Sequence, residues 1–143
     1  MLKGIPRIIP PELLRVLAEM GHGDELVLAD ANFPAASVAR HLVRCDGSDG
    51  PALLDAILGL FPLDTFVEHP VTLMAVVPGD DYQPVIWDDY RTVIVRHEPA
   101  FSDFELVERL AFYERAKAAY AVVASGEMAR YANIILKKGI VGD

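Results

Sequence analysis

The sequence predicts an α/β domain of three layers, α/β/α, with helices on both faces of a mostly parallel, mixed sheet of about six strands. Three observations predict it. Short apolar runs alternate along the chain with segments of helical period, which is how a strand is followed by a helix that crosses back over the sheet. The 143 residues fit one domain, spanning 1–143, large enough to bury a core without a disulfide or a structural metal. Only residues 125–133 separate the last two strand candidates, too few for an ordinary helical crossover. One of those two strands is therefore expected to run antiparallel.

From Pro10 the chain reads as helix: prolines at the entry, Leu13, Leu14, Val16, Leu17 and Met20 on one stripe, and Gly21 as the stop. Leu26 to Ala29 suits a strand covered on both faces. Asn32-Phe33-Pro34 follows as a loop, because Pro34 restricts Phe33 to extended angles. Leu42 to Cys45 is a second strand. Asp46-Gly47 then turns the chain, Asp49 is placed to cap a helix, and Pro51 to Leu60 carries Leu53, Leu54, Ile57 and Leu60 on one side. Val71 to Val77 reads as a buried strand closed by Pro78-Gly79. Ile86, Tyr90, Val93 and Ile94 recur at helical spacing between Pro84 and Arg96. Phe104 to Val107 is a strand, Leu110 to Ala119 a helix of strong helix formers, and Tyr120 to Ala124 and Ile134 to Leu136 are the last strands.

With 21 acidic and 13 basic residues the net charge is −8, and the basic residues are scattered, so nucleic-acid binding lacks its electrostatic footprint. No apolar run is long enough to span a membrane. There is no basic-then-apolar leader, and the single cysteine, Cys45, has no intrachain partner, which favours the cytoplasm. Apolar residues make up 52% of the chain, consistent with a face buried against other copies.

Several chemistries lack their motifs. GxGxxG and GxxxxGK[ST] are absent, and so is GxSxG; neither Ser37 nor Ser125 sits on a nucleophile elbow. Cys45, in an apolar strand, reads as inert core. His22, His41, His69 and His97 share no HxxxH or HxH spacing, so no metal is assigned, although Asp24 and Glu25 stand beside His22 as conceivable ligands. His41, His69 and His97 read as ordinary surface or half-buried residues, and Phe33, Trp87 and Tyr90 as packing residues.

Three segments remain as candidates. In Gly21-His22-Gly23-Asp24-Glu25 the glycines leave little bulk around an imidazole, the side chain that gives and takes protons near neutrality, and the strand that follows ends at Asp30. Arg109 sits where a strand hands over to a helix, a place where side chains converge on a cleft. Tyr131-Ala132-Asn133 leads into the last strand.

Taken in order, GHGDE (21–25), LADANFP (28–34), RCDG (44–47), PLDTFVE (62–68), RLAFYERAKAAYAVVASGE (109–127) and YANIILKKG (131–139) resemble the ribose pyranase and fucose mutarotase family, on its fucose branch. The similarity runs from about residue 2 to 141. It implies the family's α/β fold, His22 as the acid/base residue, and Asp30, Arg109, Tyr131, Ala132 and Asn133 as sugar-binding positions. It also implies a monosaccharide ligand, L-fucose on this branch, and a ring-like homo-oligomer of stacked pentamers, a decamer, with its pocket near a subunit contact. Anomer exchange through the open-chain aldehyde demands only proton transfer, so no metal or other cofactor is expected. Two departures stand out. Ala132 replaces the glycine usual on the fucose branch, placing a methyl beside the sugar and leaving room for a ribose-type pyranase. Asn32 replaces the histidine of some relatives. A non-catalytic sugar-binding module is the third reading.

Overall fold

The structure, a computed structural model, describes residues 1–143. Its strands are β1 (Glu25–Ala29), β2 (Leu42–Cys45), β3 (Val71–Met74), β4 (Glu105–Val107), β5 (Ala121–Ser125) and β6 (Ile134–Lys137). Its helices are α1 (Pro11–Glu19), α2 (Ala35–Val38), α3 (Gly50–Leu58), α4 (Ile86–His97) and α5 (Arg109–Ala118). The strands form one six-stranded sheet in the order β2-β5-β1-β6-β3-β4. Only β6 runs against its neighbours, pairing Leu26 with Leu136 and Leu28 with Ile134 on one side and Leu73 with Ile134 on the other. The short final connection thus does what its length requires.

Side chains alternate across each strand, and the alternation sorts them into two cores. Leu26, Leu28, Val43, Val123, Ile134 and Leu136 pack with α1, α3 and α4 in the larger core. Val27, Ala29, Val122 and Ile135 pack with Phe33, Phe112 and Ala116 in the smaller one, beneath α2 and α5. These are the helical layers on the two faces of the sheet. The Asp49 carboxylate accepts the Ala52 amide at 2.8 Å, so the expected N-cap of α3 is made. No helix is long and apolar enough to cross a membrane.

Two local expectations are corrected. The strand expected over Val71–Val77 stops at Met74, where both neighbours run out: β6 begins only at Ile134, opposite Leu73, and β4 ends at Val107, opposite Met74. The loop after Asn32-Phe33-Pro34 holds one short helical turn, α2, too short to show a periodicity.

Candidate active site

The turn before β1 carries His22. Gly23 has φ of +85°, a left-handed angle that glycine adopts without strain, and its amide donates to the Lys138 carbonyl at 2.8 Å. Lys138 answers through its own amide to the Asp24 carbonyl at 2.9 Å, so the turn is tied to the end of β6. The same end of β6 holds residues 62–64: the Asp64 amide donates to the Lys137 carbonyl at 3.0 Å, and the Gly139 amide to the Pro62 carbonyl at 2.7 Å. A Cβ on Gly139 would overlap the Leu63 carbonyl, so only glycine lets this segment lie so close. These ties bring the Asp64 Oδ1 to 3.0 Å from the His22 Nε2. The Phe66 ring leans on the imidazole with centroids 5.2 Å apart. The His22 side chain keeps 44% of its surface exposed while that of Asp64 keeps 4%. Burial pushes the Asp64 carboxyl up, but the Phe66 amide and His22 outweigh it and hold the group below the usual carboxylate range.

The opposite end of β1 carries Asp30. Because β6 is antiparallel, its first residues lie beside the end of β1, and the Asn133 side-chain oxygen accepts the Asp30 amide at 2.8 Å. The Asp30 Oδ1 accepts the Asn32 amide at 3.0 Å. Here burial prevails over these bonds and pushes the carboxyl up. Tyr131 sits at φ of +58°, an angle a tyrosine holds only when its surroundings impose it. Trp87 Nε1 donates to its carbonyl at 2.8 Å, and its own hydroxyl donates to Asp80 at 2.6 Å. The Ala132 carbonyl accepts the hydroxyl of the fully buried Tyr90 at 2.7 Å. Arg109, exposed at the first residue of α5, lies 5.8 Å from the Tyr113 ring centroid, and that ring meets Phe33 edge-on at 5.4 Å. The cleft that reaches Asp30 is lined also by Phe33, Ser37, Arg44, Asp46 and Ser125, with Arg109, Tyr131 and Asn133 outside it.

The structure thus places Asp30, Arg109, Tyr131 and Asn133 at the end of the sheet where β1, β3 and β4 finish, with only Asp30 and Asn133 in direct contact, and sets His22 at the opposite end. His22 and Asp30 lie at opposite ends of β1, as their places in the chain require: the strand stands between them, and five residues at about 3.3 Å each is ~17 Å. Asp64, not Asp30, lies against the imidazole. The Ala132 methyl is corrected, being packed in the larger core rather than turned toward a ligand. Asp24 accepts the Gly21 amide and Glu25 pairs with Arg115, so neither joins His22 around a common point. No three His, Cys, Asp or Glu side chains converge as a metal would require.

Sequence reasoning missed Asp64, Asp80 and the bonds of Trp87 and Tyr90. Asp64 had one local signal, its position two residues before Phe66, whose amide its carboxylate accepts. Phe33 and Tyr90 are core residues as expected, and Cys45 is buried with its thiol pushed up chiefly by that burial.

The chain is 53% identical over 140 residues to the L-fucose mutarotase of Actinobacillus pleuropneumoniae, covering 98% of this chain and 97% of that one. It is 54% identical over 144 residues to the fucose mutarotase of Mus musculus, covering 96% and 94%. The crystal structure of the fucose mutarotase from Streptococcus pneumoniae in complex with L-fucose superposes with a TM-score of 0.92 at 55% identity, over 99% of this chain and 100% of that one. The family model described as the RbsD / FucU transport protein family matches residues 3–141. With nearly every residue inside that match, and with relatives that share over half of its positions, the chain belongs to the RbsD / FucU family.

Proposed function

We propose that this chain is an L-fucose mutarotase, one domain over residues 1–143 that exchanges the α and β anomers of the free sugar by acid/base catalysis. The carrying observation is a half-exposed imidazole on a turn bound at both ends, in a chain that shares over half its residues with fucose mutarotases along their whole length. His22 takes the proton of the anomeric hydroxyl and returns one to the ring oxygen. The ring opens to the aldehyde, rotation about C1–C2 presents the other face, and the reverse transfers close it. No atom is gained or lost, and proton movement is the only chemistry asked of the protein. Asp30 accepts sugar hydroxyls, Arg109 donates through its planar fork, and Tyr131 and Asn133 complete the polar lining, with Ala132 contributing backbone alone.

The two sets of residues meet across a contact between copies. His22 of one subunit faces the Asp30, Arg109, Tyr131 and Asn133 set of its neighbour in a ring-like homo-oligomer, a decamer of stacked pentamers acting in the cytoplasm. Phe66, which leans on His22, is 72% exposed in the single chain, and Leu106 and Leu110 beside Arg109 are 54% and 61% exposed, as interface side chains would be. The pyranase reading loses its main support once the Ala132 methyl lies in the core.

Saturation-transfer NMR with fucose, ribose and rhamnose tests the proposal. L-Fucose anomers should exchange fastest, and His22→Ala should lower that rate by about 10²- to 10⁴-fold. Unchanged exchange in the variant would remove His22 from the chemistry. Binding of fucose with no acceleration in the native protein would leave a sugar-binding module.

A further inference from the structure

We infer that Asp64 is a positioning residue for His22, holding the imidazole as its Nε2–H tautomer so that Nδ1 is the nitrogen that exchanges protons with the sugar. The inference rests on His22 as the acid/base group and adds which nitrogen works and what holds it.

The geometry leaves one arrangement. The Asp64 Oδ1 lies 3.0 Å from Nε2. An ionised carboxylate only accepts hydrogen bonds. If Nε2 carried a lone pair, two acceptors would face each other at that distance inside a site Asp64 shares with almost no water. Nε2 therefore carries the hydrogen, and the neutral ring keeps its lone pair on Nδ1. When Nδ1 takes a proton from the anomeric hydroxyl, the imidazolium forms with its Nε2–H already against an anion.

Asp64 is itself immobilised, which a positioning residue must be. Its amide is tied to the Lys137 carbonyl, and Oδ1 also accepts the Phe66 amide at 3.0 Å, closing a turn that places the Phe66 ring against the imidazole. His22 is thus gripped at one nitrogen and along one side of its ring. The other charges nearby have tasks of their own. Asp24 accepts the Gly21 amide, the Lys138 ammonium donates to the Leu17 and Met20 carbonyls that end α1, and Glu98 accepts the Leu63 amide. The Lys137 ammonium acts on the Asp64 carboxylate through charge alone. Nothing but Asp64 competes for Nε2.

Long-range ¹H–¹⁵N correlation on the intact native protein labelled with ¹⁵N-histidine, with His22 assigned by its loss in His22→Ala, should show a proton on Nε2 and a bare Nδ1 at neutral pH. A proton on Nδ1 in the neutral ring would overturn the inference with no substitution in the site. Asp64→Asn keeps an oxygen for the Phe66 amide and removes the charge. It should lower kcat for fucose anomer exchange by about 10- to 100-fold with KM within about 2-fold, at unchanged sedimentation, and mix the tautomers. Native kcat in Asp64→Asn alongside loss of exchange in His22→Ala would remove Asp64's role and leave the mutarotase reading intact. Exchange surviving in His22→Ala would remove that reading and this role together, while the native tautomer spectrum would still report the contact.

Discussion

Asp64 and Asp30 flank β1 from its two ends, and both are withdrawn from solvent, at 5% and 8% exposure. Their environments push them in opposite directions: Asp64 falls below the usual carboxylate range and Asp30 rises above it. Burial is the largest influence on each, so burial does not explain the difference. What differs is the company. Asp64 faces the His22 ring and the Phe66 amide with the Lys137 charge nearby, whereas Asp30 has amides and the Asn133 side chain but no basic group acting on it. A buried carboxylate whose partners come from its own chain holds geometry. One left short of donors is better suited to receive them from a ligand.

The sharpest way to break this comparison is to damage the two ends in separate chains. His22→Ala and Asp30→Ala, each impaired alone at fucose concentrations below the native KM, should recover activity there when unfolded together and reassembled. With random mixing, about a quarter of the contacts would pair an intact His22 with an intact Asp30. No recovery would mean that both residues serve one pocket within a subunit.

Asp30→Ala alone removes a charged acceptor from the sugar's side, and KM for fucose should rise by about 10- to 100-fold, as loss of a hydrogen bond to a charged group predicts. Steady-state rates from the NMR exchange measurement check it, and a change confined to kcat would move Asp30 from binding to chemistry.

Tyr90→Phe bears on the carboxyl end only. It strips the Ala132 carbonyl of its donor in the core and should cost about 1–3 kcal/mol in denaturant unfolding. Anomer exchange should persist, because Tyr90 is buried away from the polar edge.

The smallest effect concerns pH. Asp64, lowered in the fold, stabilises above its unfolded value near 3.9 and loses that contribution as pH falls through its folded value. Asp30, raised in the fold, costs stability above its folded value and is relieved as pH falls from there toward its unfolded one. Asp64→Asn should therefore be less stable than native at pH 7 by about 1 kcal/mol, discounted for the exposed imidazole, with the gap closing below about pH 4. Asp30→Asn should be at least as stable as native at pH 7, its advantage shrinking toward pH 4. Parallel melting curves for the two would erase the contrast.

Much of the fold was legible because its signals are local. The stripe from Leu13 to Met20, the proline and glycine stops, and the Asp49 cap each act within a turn or two of chain. Even that one of the last two strands is reversed followed from a count of residues; that it is β6 did not. The candidate site was legible as a set of residue types, since His22, Asp30, Arg109, Tyr131 and Asn133 all stand at or beside element ends. Their grouping was not. Spacing gave no hint that Ala132 turns its methyl inward, because the left-handed Tyr131 before it sets that direction.

By itself the sequence determined the six strands and every helix but α2, that the last connection is too short for a crossover, and which side chains are candidates for the chemistry. The tertiary structure alone decided the strand order β2-β5-β1-β6-β3-β4 and the pairing of His22 with Asp64 across 42 positions. The reason is that periodicity and capping depend on neighbours a few residues away, whereas a contact across 42 positions exists only once the close approach at Gly139 lets residues 62–64 pair with the end of β6.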